Sequence, residues 1–305
     1  MTGNEASRGR TLSAPAKLNL YLHVLGRRSD GYHSLDSLVA FARFADELSF
    51  RPDDGLRLSV QGPFAAALSG PDGDKATQDD NLILRAARHL AAFAGVRCEA
   101  AITLTKNLPV AAGIGGGSAD AAAALLGLAQ LWGLDLERGD LARLGLDLGA
   151  DVPVCLEGKA SFVGGIGEKL TPATGLGKAG LLLVNPGMPL STAAVFQAHG
   201  DVASCAASIE AVPNDVDALA RFLKARRNDL TAAAVGLAPG IGEVLDVIAR
   251  DKACLLARMS GSGPTCFGLY RDVAACRAAL AAIRRDHPSW WVVASELLAN
   301  VTVPG

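Results

Sequence analysis

Four glycines within five positions, Gly113, Gly115, Gly116 and Gly117, constrain this chain more than any other feature. They lie in the stretch Leu108 to Leu126, which reads LPVAAGIGGGSADAAAALL. Ala101 to Thr105 (AITLT), just before it, reads as a strand. Ala121 to Trp132, just after, reads as a helix that only Gly127 opposes. Ser118 is the expected N-cap, and Asp120 would put an acid in the first turn. A glycine loop between a strand and a helix can aim several backbone N–H groups at one point, where the helix N-terminus adds partial positive charge. Such a point suits an oxyanion, most often a phosphate. The plainer alternative is a loop that is glycine-rich only in order to turn sharply.

Two other phosphate motifs fail here. A Walker A loop needs Gly-Lys-Ser/Thr after four spacer residues, but Gly158-Lys159 and Gly177-Lys178 are each followed by Ala and lack the upstream glycine. A dinucleotide fingerprint needs G-x-G-x-x-G. Gly113 and Gly115 are followed by Ser118 at the third glycine position, and Asp135 follows a helix instead of a second strand.

The 305 residues suffice for two domains or one large one, and with half of them hydrophobic a sizeable core is expected. Net charge is −2 with no basic stripe, which argues against nucleic acid as a partner. None of the six cysteines forms a C-x-x-C pair, so neither zinc nor a dithiol is signalled. The N-terminus, MTGNEASRGR, has no apolar centre, and the uncharged run Ala121 to Leu134, at 14 residues, is too short to span a bilayer. A cytoplasmic protein with reduced thiols and no membrane partner is expected.

Residues 1–10 read as disordered. From Lys17 the chain alternates, with Leu18, Leu20, Leu22 and Val24 toward a core and Lys17, Asn19, Tyr21 and His23 on the other face. That polar face is either solvated surface or one wall of a site. Arg27 to His33 reads as a turn that sets Tyr32 beside His33. Strands are expected at Ser37 to Ala42, Glu47 to Arg51 and Leu56 to Gln61, a loop from Gly62 to Asp80, and a helix from Leu82 to Phe93 capped by Asn81. After a helix over Gly139 to Leu148, Asp151 precedes Val152-Pro153 and has the character of an N-cap. Pro172 to Lys178, rich in Gly, Pro and Thr, is the expected boundary, dividing the chain into residues 1–172 and 173–305. The second half mixes helices with a small sheet, including a hairpin around Ser260-Gly261-Ser262-Gly263-Pro264.

Three motifs in order carry a resemblance. The first is Ala14-Pro15-Ala16-Lys17-Leu18-Asn19-Leu20 with Asp30-Gly31-Tyr32-His33. The second is Pro109-Val110-Ala111-Ala112-Gly113-Ile114-Gly115-Gly116-Gly117-Ser118, and the third is Ser260 to Thr265. Together they resemble the GHMP kinases, named for galactokinase, homoserine kinase, mevalonate kinase and phosphomevalonate kinase, and the likeness spans roughly residues 13 to 295. Asp80-Asn81-Leu82, Leu148 to Pro153 and the Gly-Gly-Gly-Ser loop look most like the branch whose acceptor is diphosphocytidyl methylerythritol, in the non-mevalonate isoprenoid pathway. Two departures stand out. Ile114 replaces a usual Leu, and Ala119 stands where a second Ser often follows Ser118.

The resemblance implies an α+β fold of two lobes, an N-terminal mixed-sheet nucleotide-binding lobe and a small C-terminal α/β sandwich, with the active site in the cleft. It implies phosphorylation of the acceptor's 2-hydroxyl by ATP with Mg²⁺, giving the 2-phosphate and ADP. Asp151 would be the base and Lys17 the cation beside it. Pro109 through Ser118, with Ala119, would wrap the ATP phosphates, and Lys106 and Asn81 would line the nucleotide site. Asn19, on the strand face of Lys17, would meet the acceptor. Tyr32 and His33 would hold the cytidine, Phe196 would supply a second ring, and Thr192 lies nearby; no metal ligand set is legible. The rival readings are a GHMP kinase with a mevalonate- or homoserine-type acceptor, a nucleotide-binding protein without catalysis, and a dinucleotide oxidoreductase.

Overall fold

A long antiparallel pair, β1 (Arg10–Arg27) and β2 (His33–Arg51), is the spine of the molecule. The structure is a computed structural model and describes residues 10–68, 81–207 and 211–301. Of the disorder expected over residues 1–10, Arg10 instead opens β1 and the rest lies outside the described residues, as do residues 69–80 of the loop expected from Gly62 to Asp80.

One edge of β2 pairs with β1 along its length, and the other serves three partners in succession. Leu35–Val39 meet β5 (Ser161–Gly165), Phe41 and Ala42 meet β10 (Trp291–Leu298), and Glu47–Arg51 meet β4 (Ala100–Thr105). The sequence divides this 19-residue strand in two at Arg43-Phe44-Ala45-Asp46 because the polar residues break its pattern; in the structure pairing on both edges carries the strand through. β3 (Leu56–Gln61) runs parallel to β4, and β6 (Lys169–Pro172) pairs with β5. Through β10 the sheet continues to β7 (Gly180–Asn185), β9 (Cys266–Tyr270) and β8 (Leu256–Met259), making one ten-stranded mixed sheet.

Helices cover this sheet. α1 (Leu82–Ala94) begins at Asn81, whose side chain accepts from the Ile83 N–H, and buries Ile83, Ala86, Ala87 and Leu90 at helical spacing. α2 (Gly116–Leu131) packs between α1 and the sheet, and its alanines 121–124 are all buried. The ring of Phe50 lies where a Cβ at Gly127 would be, which accounts for the one helix-opposing residue there. Leu48, Phe50, Ile102, Leu104 and Leu125 complete this layer, each contributing about 1.5–3 kcal/mol by burial.

α3 (Arg138–Leu148) and α4 (Val152–Glu157) lead back to the sheet. The second half adds α5 (Thr192–His199), α6 (Val216–Lys224), α7 (Thr231–Leu237), α8 (Gly240–Arg250) and α9 (Val273–Asp286). Its core is formed by Leu182, Val184, Ile241, Val244, Ile248, Tyr270 and Val292. The cysteines at 98, 155, 205, 254, 266 and 276 are free thiols. Among the described residues, no helix is long and apolar enough to cross a membrane.

Candidate active site

The strict alternation read from β1 fails at a bulge. Asn19 pairs with Val39 and Tyr21 with Leu38, so Leu20 is an extra residue in the ladder. A bulge of this kind re-aims the side chains beyond it. Lys17 and Asn19 line the cleft between the two halves of the molecule, and beyond the bulge Leu22 lines it in place of Tyr21 and His23. Tyr21 is fully buried and donates its hydroxyl to Asp36. The strand is therefore buried on both faces, not half-buried.

Lys17 is 3% exposed. Its Nζ lies 2.7 Å from Asp151 Oδ2 and donates to Asn19 Oδ1 at 3.0 Å. Asp151 occupies the N-cap position of α4 but makes no capping bond; its carboxylate turns to Lys17 and remains 41% exposed to the cleft.

The glycine loop is held from beneath by both halves. The Lys17 N–H donates to Ile114 O at 2.9 Å and the Thr265 N–H to Ala112 O at 3.2 Å, while Ser260 Oγ donates to Gly113 O at 3.0 Å. Gly113 (φ 71°) and Gly115 (φ 62°) take left-handed conformations. A Cβ would stand 2.5 Å from Gly263 O at the first and 3.0 Å from Lys17 Cε at the second. α2 starts at Gly116 with Gly115 as its cap, so Ser118 lies inside the first turn and is not the N-cap, and Asp120 lies beyond that turn. The Ala119 N–H makes the bond to Gly115 O that opens the helix, and the amides of residues 116–118 remain to face the cleft.

Pro109 to Gly113 and Gly115 to Ser118 line the cleft, as does Asn81. Ile114 and Ala119 are buried in the core. A hydroxyl at position 119 would thus enter the core and not the ligand space, which removes the significance of the missing Ser.

Lys106 also lines the cleft, but its ammonium is engaged by two carboxylates, Asp46 at 2.5 Å and Asp120 at 2.6 Å. All three groups are buried. Asp46 in addition accepts the N–H groups of Asn107 and Leu108, whereas Asp120 Oδ1 has no hydrogen-bond partner among the described residues. Burial pushes the Asp120 carboxyl up to about 7, against the pull of Lys106 and with the help of Asp46. Burial opposes the Lys106 charge, but Asp120 and Asp46 outweigh it and raise its pKa.

At the other end of the cleft, Tyr32 stands 60% exposed at the mouth. The His33 ring stacks on Phe196 with centroids 5.0 Å apart and planes 24° from parallel, so the paired rings are His33 and Phe196. Burial, then Arg27 and His199, lower the His33 pKa and favour the neutral imidazole. Thr192 Oγ1 lies 2.8 Å from Ser262 Oγ, tying α5 to the third glycine turn. That turn is braced by Asn228, which donates to Met259 O and Gly261 O, both at 2.8 Å. Sequence reasoning missed Asn228 and Asp46, because a polar residue in a turn or strand reads as surface. The cleft holds about 1380 Å³, more than the usual single-ligand pocket and enough for a nucleotide and an acceptor together.

Comparison with known proteins agrees with this geometry. Residues 81–159 match the GHMP kinases N terminal domain and residues 205–287 the GHMP kinases C terminal domain. A 4-diphosphocytidyl-2-C-methyl-D-erythritol kinase from Paramagnetospirillum magneticum is 53% identical over 95% of this chain and 99% of its own. Its namesake from Rhodospirillum rubrum is 50% identical over 94% of this chain and 92% of its own. A crystal structure of 4-(cytidine 5'-diphospho)-2C-methyl-D-erythritol kinase superposes with a TM-score of 0.75 at 34% identity, covering 94% of this chain and 99% of that one. A homoserine kinase from Cytophaga hutchinsonii, 18% identical over 98% of each chain, shares the fold with a TM-score of 0.72. Both family domains, and relatives of about half-identical sequence from end to end, establish that this chain belongs to the GHMP kinases.

Proposed function

We propose that the chain transfers the γ-phosphoryl group of ATP to the 2-hydroxyl of 4-diphosphocytidyl-2-C-methyl-D-erythritol. The observation that carries this reading is the Lys17–Asp151 pair, 2.7 Å apart, between the glycine loop at one end of the cleft and the His33–Phe196 stack at the other. The loop amides and the α2 N-terminus suit the phosphates of the donor. A neutral His33 can donate and accept along a cytosine edge, and the exposed Tyr32 ring and Phe196 offer apolar faces to the base. Neither mevalonate nor homoserine has a base to place there.

In the proposed reaction the acceptor oxygen bonds to the γ-phosphorus as the bond to the β-phosphate oxygen breaks. Asp151 takes the hydroxyl proton, and Lys17 holds that carboxylate in place while offering positive charge to the transferring group. Mg²⁺ fits this chemistry, because Asp151 and Ser118, both oxygen-bearing side chains, line the cleft. Among the described residues no three His, Cys, Asp or Glu side chains converge, so the phosphates and water would fill most of its shell. When bound, the ion would offset phosphate charge. The two lobes divide at Pro172 in this reading, residues 1–172 carrying the ATP loop and 173–305 closing the cleft. The end of β6 at Pro172 and the family matches on either side support that division.

ADP release tests the proposal, with 4-diphosphocytidyl-2-C-methyl-D-erythritol, mevalonate and homoserine compared as acceptors. Turnover with the first alone is expected. Asp151→Asn should keep ATP binding and lose about 10²–10⁴ in kcat. Turnover with mevalonate or homoserine only would keep the kinase and sink the cytidine end of the reading.

A further inference from the structure

The Lys17 ammonium is oriented by a chain of hydrogen bonds whose direction is fully determined. An ammonium can only donate, with three hydrogens. Two of the three meet Asp151 Oδ2 at 2.7 Å and Asn19 Oδ1 at 3.0 Å. Asn19 must therefore turn its carbonyl to Lys17, which leaves its NH₂ group facing Ser37 Oγ at 2.8 Å. Ser37 must accept there, so its own hydrogen goes on to the Tyr21 carbonyl at 2.5 Å. Each link forces the next, and the last is a main-chain carbonyl that cannot turn. Ser37 is 1% exposed and takes no part in lining the cleft. On β2 it shares a face with His33 and Leu35, which do line the cleft, so one strand face runs from the aromatic end to the residue beneath the catalytic pair.

We propose that Ser37 is a positioning residue for phosphoryl transfer. Its hydroxyl fixes the orientation of the Asn19 amide, and the amide holds Lys17 with its third hydrogen free for the transferring group. Without the hydroxyl the Asn19 NH₂ group loses its acceptor, and the amide, held only by the ammonium it should position, is free to turn together with it. This inference rests on the kinase reading above.

Thr and Val have the same shape but differ in the hydroxyl, so Ser37→Thr and Ser37→Val separate this role from packing. The readouts are kcat, and KM for ATP and for the diphosphocytidyl acceptor. Ser37→Val should lower kcat about tenfold with both KM values within about twofold of the unaltered chain, and Ser37→Thr should restore kcat to within about twofold. Should the Val chain fail to fold, Ser37→Ala removes the hydroxyl without added bulk and is expected to behave as Val does. Equal losses in the Thr and Val chains would overturn the proposal, as would a Val or Ala chain with undiminished kcat. An unaltered chain that is silent with every acceptor would instead overturn the kinase reading, and this inference with it.

Discussion

Asp151 sits where a helix cap belongs, yet its carboxylate is free for Lys17; its backbone is already helical (φ −89°, ψ −9°), unlike that of a capping residue, and Pro153 adds to this. A capping carboxylate accepts from the second or third amide of the helix. Val152 is the first residue of α4 and Pro153 the second, and a proline has no N–H to give. One of the two donors that would draw Asp151 back over its own helix is thus missing. Pro153→Ala restores that donor. The cap is worth about 1 kcal/mol, so the competition should lower kcat by about two- to fivefold while ATP binding stays unchanged. The measurement is kcat beside an equilibrium ATP titration; an unchanged kcat would show that the proline plays no part in releasing the carboxylate.

The start of α2 is an element whose energetics the buried charges beneath it control. One ammonium, Lys106, serves two carboxylates, and Asp120 keeps an oxygen with no partner among the described residues. With its folded pKa raised from 3.8 to about 7, Asp120 retains a proton that the unfolded chain gives up, so its contribution to stability is full below pH 4 and is lost as the pH rises to about 7. An asparagine side chain at this position would mimic the protonated carboxyl at every pH. Urea unfolding of Asp120→Asn and the unaltered chain should therefore agree near pH 4 and diverge above it, the variant gaining up to roughly 1 kcal/mol per pH unit until pH 7. Parallel curves across that range would mean that Asp120 ionises normally. The same element shows the reach of the sequence. The strand, glycine loop and helix were legible from residues 101–132, but local rules started the helix after Ser118. The winding through Gly116 and Gly117 depends on contacts far away in the chain, since Lys17 sits against Gly115 and Lys106 against Gly116. Lys17 and Asp151 were legible as motif residues, whereas the Leu20 bulge changes no residue type and left no mark in the alternation.

At the scale of the whole molecule, the two halves must be locked for the pair and the loop to meet, and Arg258 on β8 supplies one of the bonds between them. Among the described residues it has no carboxylate partner, and burial brings its pKa down to about 10. Its guanidinium instead donates to three carbonyls, Leu20 at 2.8 Å, Leu223 at 2.9 Å and Arg226 at 2.7 Å. Leu223 lies in the last turn of α6, where the helix dipole favours a cation. Leu20 is the bulged residue of β1, whose carbonyl the β2 ladder leaves over. A residue of the second half thus secures the irregularity that, in the first, follows directly on Lys17 and Asn19 and turns Leu22 into the cleft after them. Arg258→Met would leave buried carbonyls unpaired and should cost about 3 kcal/mol of stability. If the bulge is held from there, kcat should also fall at temperatures where the variant is fully folded, and Arg258→Lys should not restore it, because a single ammonium cannot span the three carbonyls as the planar fork does. A denaturant midpoint measured beside kcat separates the two effects: a variant that is destabilised but fully active would confine Arg258 to holding the halves together.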